Sequence, residues 1–143
     1  MIFAVVVGLV LALCVTLVVV VAKDPGPAPE EVAVSYELAW DRFDFDVLWT
    51  LSGKELHDGL DRKQFLAAKR AAYATQQALV GLVEDVTVDD AAQRGESAVV
   101  TTHVTLRDGS TVRNRLRLTR RGRRWVVVSY DLVVDDASRS RAE

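Results

Sequence analysis

From Met1 to Ala22 the chain carries no charged side chain, and nearly every position is Val, Leu, Ala, Ile or Phe. At about 1.5 Å per residue a helix of that length is roughly 33 Å long, enough to cross a hydrocarbon core of about 30 Å. Beyond it the pattern turns amphipathic. Val32, Tyr36, Ala39, Trp40, Phe43 and Val47 recur at helical spacing, behind Pro29 and the first-turn acids Glu30 and Glu31. Ser52-Gly-Lys-Glu55 is a capping-box pattern for a short helix that Gly59 can end, and Asp61-Arg-Lys-Gln64 introduces another from Phe65 to Leu79. The period then changes. Leu82 to Asp89 reads as a strand and Ala91 to Glu96 as a loop. Ala98, Val100, Thr102, Val104 and Leu106 form one face of a second strand. Asp108-Gly109 is a hairpin signal. Thr111 to Thr119 alternates, with Val112, Asn114, Leu116 and Leu118 on one face and Arg113, Arg115 and Arg117 on the other. Arg121-Gly122 turns the chain into Trp125 to Val134, where Val126, Val128, Tyr130 and Leu132 share a face. Helices first and an antiparallel meander after them predict an α+β fold: an N-terminal transmembrane helix, then three helices on a curved four-stranded sheet.

The opening run fits a retained single-pass anchor better than a cleaved signal. A signal peptide has a basic n-region and an apolar core of about 7–15 residues, whereas here no basic residue precedes a longer run. Leu13 before Cys14 does not suit a lipoprotein signal. Residues 1–22 are thus expected to be the anchor, 23–29 a Pro-rich stalk, 30–134 one folded domain and 135–143 a flexible tail. Lys23 is the only basic residue beside the run, so charge sets orientation weakly. A short anchor followed by a Pro-rich stalk favours a domain outside the cytoplasm, at the cell membrane. The single cysteine lies in the apolar run, which excludes disulfides within the domain and cysteine-based metal sites. A net charge of −2 gives no global steering toward nucleic acid.

Tyr36-Glu-Leu-Ala-Trp40, Phe43-Asp-Phe-Asp-Val-Leu-Trp49, Leu51-Ser-Gly-Lys-Glu-Leu56 and Gly122-Arg-Arg-Trp-Val-Val-Val-Ser-Tyr130 follow one another in this element order. In them the chain resembles the nuclear transport factor 2-like (cystatin-like α+β cone) superfamily, in particular its small membrane-anchored bacterial members. The Val-, Ala-, Arg- and Asp-rich usage also resembles actinobacterial proteins. The resemblance spans Glu30 to Leu132 and implies a cone with a mouth. It does not imply one activity, because the superfamily hosts isomerases, dehydratases, hydrolases, transport factors and interaction modules.

Catalytic members of such a superfamily bury an Asp, His or Tyr in the cone, where burial shifts its pKa. Here Tyr130 and Asn114 are the polar residues that fall on inward faces and are the pocket candidates; the plainer expectation is a core phenol with a hydrogen-bonded hydroxyl and a hairpin-proximal amide that satisfies backbone groups. His103 falls on the outer face, His57 beside a helix end, and neither has a metal-ligand companion at a recognised spacing. Asp44 and Asp46, two apart, do not share a helix face and are expected to cap and turn the chain. No Gly-rich phosphate loop, Gly-x-Ser-x-Gly elbow or His-Glu-x-x-His occurs. No catalytic, metal or cofactor site is therefore expected. The most distinctive cluster is basic: Arg107, Arg113, Arg115, Arg117, Arg120, Arg121, Arg123 and Arg124 against the single acid Asp108. Arg113, Arg115, Arg117, Arg120, Arg121, Arg123 and Arg124 offer a face for anionic lipid, an acidic partner or an anionic polymer. The plainer expectation is a solvated sheet face paired with acids such as Asp85 and Asp89. Without interleaved aromatics the strip does not suit nucleic acid. The reading reached from sequence is a non-enzymatic accessory domain binding a partner near the membrane, with self-association through the sheet face as a further possibility. The alternative is a ligand-binding or catalytic cone.

Overall fold

The structure is a computed structural model, and it describes residues 25–134 together with 6, 9, 10 and 12–16. Residues 6, 9, 10 and 12–16 are helical. Among the described residues no helix is long and apolar enough to cross a membrane. Much of the expected anchor over 1–22, and all of the tail over 135–143, lies outside the described residues.

Three helices, α1 (Pro29–Arg42), α2 (Phe45–Leu51) and α3 (Arg62–Tyr73), precede four strands: β1 (Val83–Arg94), β2 (Ser97–Leu106), β3 (Thr111–Arg121) and β4 (Arg124–Leu132). Single 3₁₀ turns stand at Lys54–Leu56 and Gln77–Leu79. The strands form one antiparallel sheet in the order β1-β2-β3-β4, the meander expected from the hairpin signals.

The apolar stripe belongs to two helices rather than one. Phe43 adopts a left-handed conformation (φ 52°), and the Asp44 N–H closes back on the Ala39 carbonyl at 2.9 Å. A non-glycine residue there costs about 1–2 kcal/mol. The Phe43 ring offsets it by stacking on Phe45 (5.7 Å) and packing on Tyr73 (5.1 Å). Asp44 then caps α2, accepting from the Val47 N–H at 3.2 Å, as expected of a capping acid. Val47 consequently leaves the stripe and stands exposed. Ser52 closes α2 instead of opening a helix, and the chain touches the sheet there. Ser52 bridges Val127, and the Gly53 N–H donates to the Val127 carbonyl at 2.8 Å. A Cβ on Gly53 would lie 3.0 Å from Val128 Cγ1 and nearer still to the ends of the Arg121 and Glu55 side chains, so the approach to β4 is close.

Helix α3 starts on the expected Asp61/Gln64 capping box. It stops at Tyr73, short of Leu79, where the Tyr73 ring meets Trp40, Phe43 and Phe45. The loop expected at Ala91–Glu96 is mostly strand. Pairing runs on to Arg94 opposite Ser97, and Gly95 (φ 59°) leads a two-residue turn of the Gly-first kind that favours hairpins. A bulge between Arg117 and Leu118 shifts β4 by one residue, so Val127 opposes Leu118 while Tyr130 opposes Leu116. Trp125 and Val127 therefore join the main core cluster, Val126 is buried outside that cluster, and Tyr130 keeps its expected phase.

The core fills the narrow end of the cone. Val32, Ala33, Tyr36 and Ala39 of α1 and Phe45 and Leu48 of α2 meet Ala98, Val100, Leu116, Leu118, Trp125 and Val127 of the sheet. Leu116 is fully buried between its cross-strand partners Val100 and Tyr130. Leu116→Ala should cost about 2–5 kcal/mol in urea unfolding. A loss below about 1 kcal/mol would mean that this layer is not close-packed.

Candidate functional site

Above that core the cone stays open, and its floor is polar. Glu37 lies on α1 one turn after Ala33 and is 5% exposed. Its Oε1 accepts from Thr102 Oγ1 of β2 at 2.6 Å and from Asn114 Nδ2 of β3 at 3.0 Å. Its Oε2 accepts from the Tyr130 hydroxyl of β4 at 2.8 Å. Asn114 Nδ2 also donates to the Tyr130 oxygen at 3.0 Å. Three neutral donors from three consecutive strands thus converge on one buried carboxylate. That donor set suits the ionised form, which can only accept.

Burial and then the Glu37 charge push the Tyr130 phenol far above its ordinary range, and burial also raises Tyr36, whose ring meets Tyr130 edge-on at 5.3 Å. Both phenols therefore stay protonated while those of the unfolded chain ionise near about pH 10.

From this floor a cavity of about 510 Å³ opens outward. Trp40, Phe43 and Tyr73 supply aromatic wall, Val104, Leu106 and Val112 aliphatic wall, and Leu79 and Leu82 partly exposed apolar rim. Asp41, one helical turn after Glu37, lines it as well; its Oδ1 accepts from the Val83 N–H at 2.9 Å, tying α1 to the start of β1. The volume and the few converging polar groups are those of a small-molecule site. A second, smaller cavity of about 190 Å³ shares Trp40 and Tyr130 and is bounded by Tyr36, Ser52, Asp58 and Lys69.

Of the residues singled out in the sequence, Asn114 and Tyr130 are brought together on the cavity floor. Glu37 completes it, with the fully buried Thr102 behind as a further donor. Thr102 was already in phase with the inward face of β2. Glu37 carries a weaker signal: at about 100° per residue it lies within about 40° of Ala33 on the helical wheel, at the margin of the apolar arc.

The arginines divide. Arg113 Nε pairs with Asp89 at 3.0 Å across the outer face, and His103 Nδ1 lies 3.7 Å from the same carboxylate. Arg115 and Arg117 are exposed. Arg121 forks onto Glu55, whose carboxyl it holds down at about 2. Arg120 is half-buried, and Arg123 and Arg124 are exposed at the β3–β4 turn. Asp46 pairs with Arg62 at 2.6 Å and Arg70 at 3.5 Å. His57 stacks on Trp49, ring centroids 3.5 Å apart, and its Nε2 meets the Trp49 carbonyl at 3.2 Å. Among the described residues no three His, Cys, Asp or Glu side chains gather as a metal site.

Neither a protein-family model nor a curated protein sequence matches this chain. Solved structures do. A protein described as an NTF2-like transpeptidase from Campylobacter jejuni superposes with a TM-score of 0.55 at 16% identity, over 71% of this chain and 97% of its own. A SEC-C motif-containing protein from Rhodopseudomonas palustris superposes with a TM-score of 0.52 at 18% identity, over 75% of this chain and 80% of its own. These likenesses show the fold, the NTF2-like α+β cone, and at such identity they carry no activity with them.

Raised phenol pKa values tie stability to alkali. Stability that Tyr130 and Tyr36 contribute is intact below about pH 10 and is lost as pH rises past it, because only the unfolded chain releases those protons. Unfolding free energies followed from about pH 8 to pH 11 should fall less steeply for Tyr130→Phe than for the parent chain. Equal slopes would mean that Tyr130 is not held as a buried phenol.

Proposed function

We propose that this chain is a membrane-tethered binding module whose cone takes a small, largely apolar molecule. The observation that carries this reading is the cavity of about 510 Å³ ending on Glu37, Asn114 and Tyr130. Apolar walls supply affinity, and a few fixed polar groups at one end supply orientation. Internal donors on both Glu37 oxygens fix the carboxylate in place, which suits an orienting role in binding.

The uncharged opening run supports the tether, with the domain outside the cytoplasm. The stalk supports a role for the basic turn. Gly26 (φ 75°) lies so close to the sheet that a Cβ there would stand 2.8 Å from the Arg123 carbonyl oxygen. The stalk thus meets the domain beside Arg120, Arg121, Arg123 and Arg124, which favours a turn facing back toward anionic lipid headgroups. In this arrangement the membrane or an acidic partner meets the turn, while the cone receives the ligand.

A neutral probe tests the pocket itself. In the full chain carried in nanodiscs of zwitterionic lipid, phenethyl alcohol should move the methyl resonances of Val104 and Leu106 and leave Val99, on the outer face, in place. Val112→Phe, which fills the cavity from β3, should abolish the shifts. Val104 and Leu106 unmoved up to the solubility limit of the probe would overturn the binding reading.

A further inference from the structure

We infer that the cone pocket selects a protonated amine on an apolar body. This rests on the binding reading above and deepens it by naming the ligand's charge. The starting point is an imbalance. Glu37 is buried, and Thr102, Asn114 and Tyr130, its hydrogen-bond partners, are all neutral. Among the described residues no Lys, Arg or His forms an ion pair with it or lines the main cavity. A carboxylate taken out of water without a counter-charge is costly even when its hydrogen bonds are made.

Asp41 adds to the imbalance. It follows Glu37 by four residues on α1, so both lie on one face, where like charges repel. It too lines the cavity and has no ion-pair partner among the described residues. Two carboxylates, one buried and one half-buried, therefore line one cavity, and among the described residues no cation of the protein's own lines it. A bound ammonium supplies the missing charge to both.

Capacity and shape agree with charge. A carboxylate offers about four acceptor sites, and the protein's donors occupy three on Glu37, leaving one for an N–H. Trp40, Phe43 and Tyr73 give the aromatic faces that attract a cation and cover its apolar portion. Trp40 already takes part in such a contact, since the Lys69 ammonium stands 5.7 Å from its ring centroid. Lys69 pairs instead with Asp58 at 3.7 Å, and both line the smaller cavity. The same field rejects an anion, whose charge would meet two carboxylates and no donor cation.

Three probes of one shape separate the possibilities: phenethylamine, phenethyl alcohol and phenylacetate, titrated at neutral pH into the full chain in zwitterionic nanodiscs, with Val104 and Leu106 methyl shifts as the readout. The amine should bind at least about tenfold more tightly than the alcohol, the gain of a charge-assisted hydrogen bond, and phenylacetate most weakly. Glu37→Gln should reduce the amine-to-alcohol ratio to within about threefold. If Glu37→Gln does not fold, the order of the three probes on the parent chain still decides. Equal binding of amine and alcohol would overturn the charge selection and leave the pocket standing. Absence of shifts with all three would overturn the pocket reading beneath it.

Discussion

One buried carboxylate ties the cone together at the floor of its cavity. Glu37 projects from α1 and takes hydrogen bonds from β2, β3 and β4 in turn, so a single side chain binds the helix to three consecutive strands. Removing a carboxylate from water costs several kcal/mol, and donors that meet it with good geometry offset part of that cost. That requirement reaches far into the chain. It demands a hydroxyl at 102, an amide at 114 and a phenol at 130, each on the inward face of its strand. It also depends on the bulge at Arg117/Leu118, which lets Trp125 and Val127 fill the core while Tyr130 still turns inward.

The two ends of the cone follow opposite rules. At the narrow end Ala98, Val100, Leu116, Leu118 and Val127 pack against α1 and α2 as any small domain must to gain enough buried apolar surface. At the other end Val104, Leu106 and Val112 line the open cavity together with Trp40 and Tyr73. The left-handed break at Phe43 contributes to that opening by ending α1 and folding the aromatic cluster to one side.

Much of this was legible in the sequence because it rests on local chemistry. Alternation along 98–106 and 111–119, the Asp108-Gly109 turn and the Asp61/Gln64 cap each specify their own geometry, and the meander follows. The readings that shifted were those in which tertiary contact overrides local preference. Phe43 breaks a continuous stripe because its ring finds Phe45 and Tyr73. Ser52 bridges β4 instead of capping a helix. The residue phase along β4 depends on a bulge that no local pattern announces. For the site, Asn114 and Tyr130 were visible as polar residues on apolar faces. Glu37 was not, since a glutamate at the edge of an amphipathic helix looks solvated until the partners 65, 77 and 93 residues away are known.

A double-mutant cycle measures the central interaction most directly. Glu37→Gln, Tyr130→Phe and the double variant, each unfolded in urea as the full chain, report the coupling between the helix carboxylate and the β4 phenol. If Glu37 joins α1 to the sheet as described, the two losses should be non-additive by at least about 1 kcal/mol. Additivity within about 0.5 kcal/mol would contradict it, and the cone would have to be held by apolar packing alone.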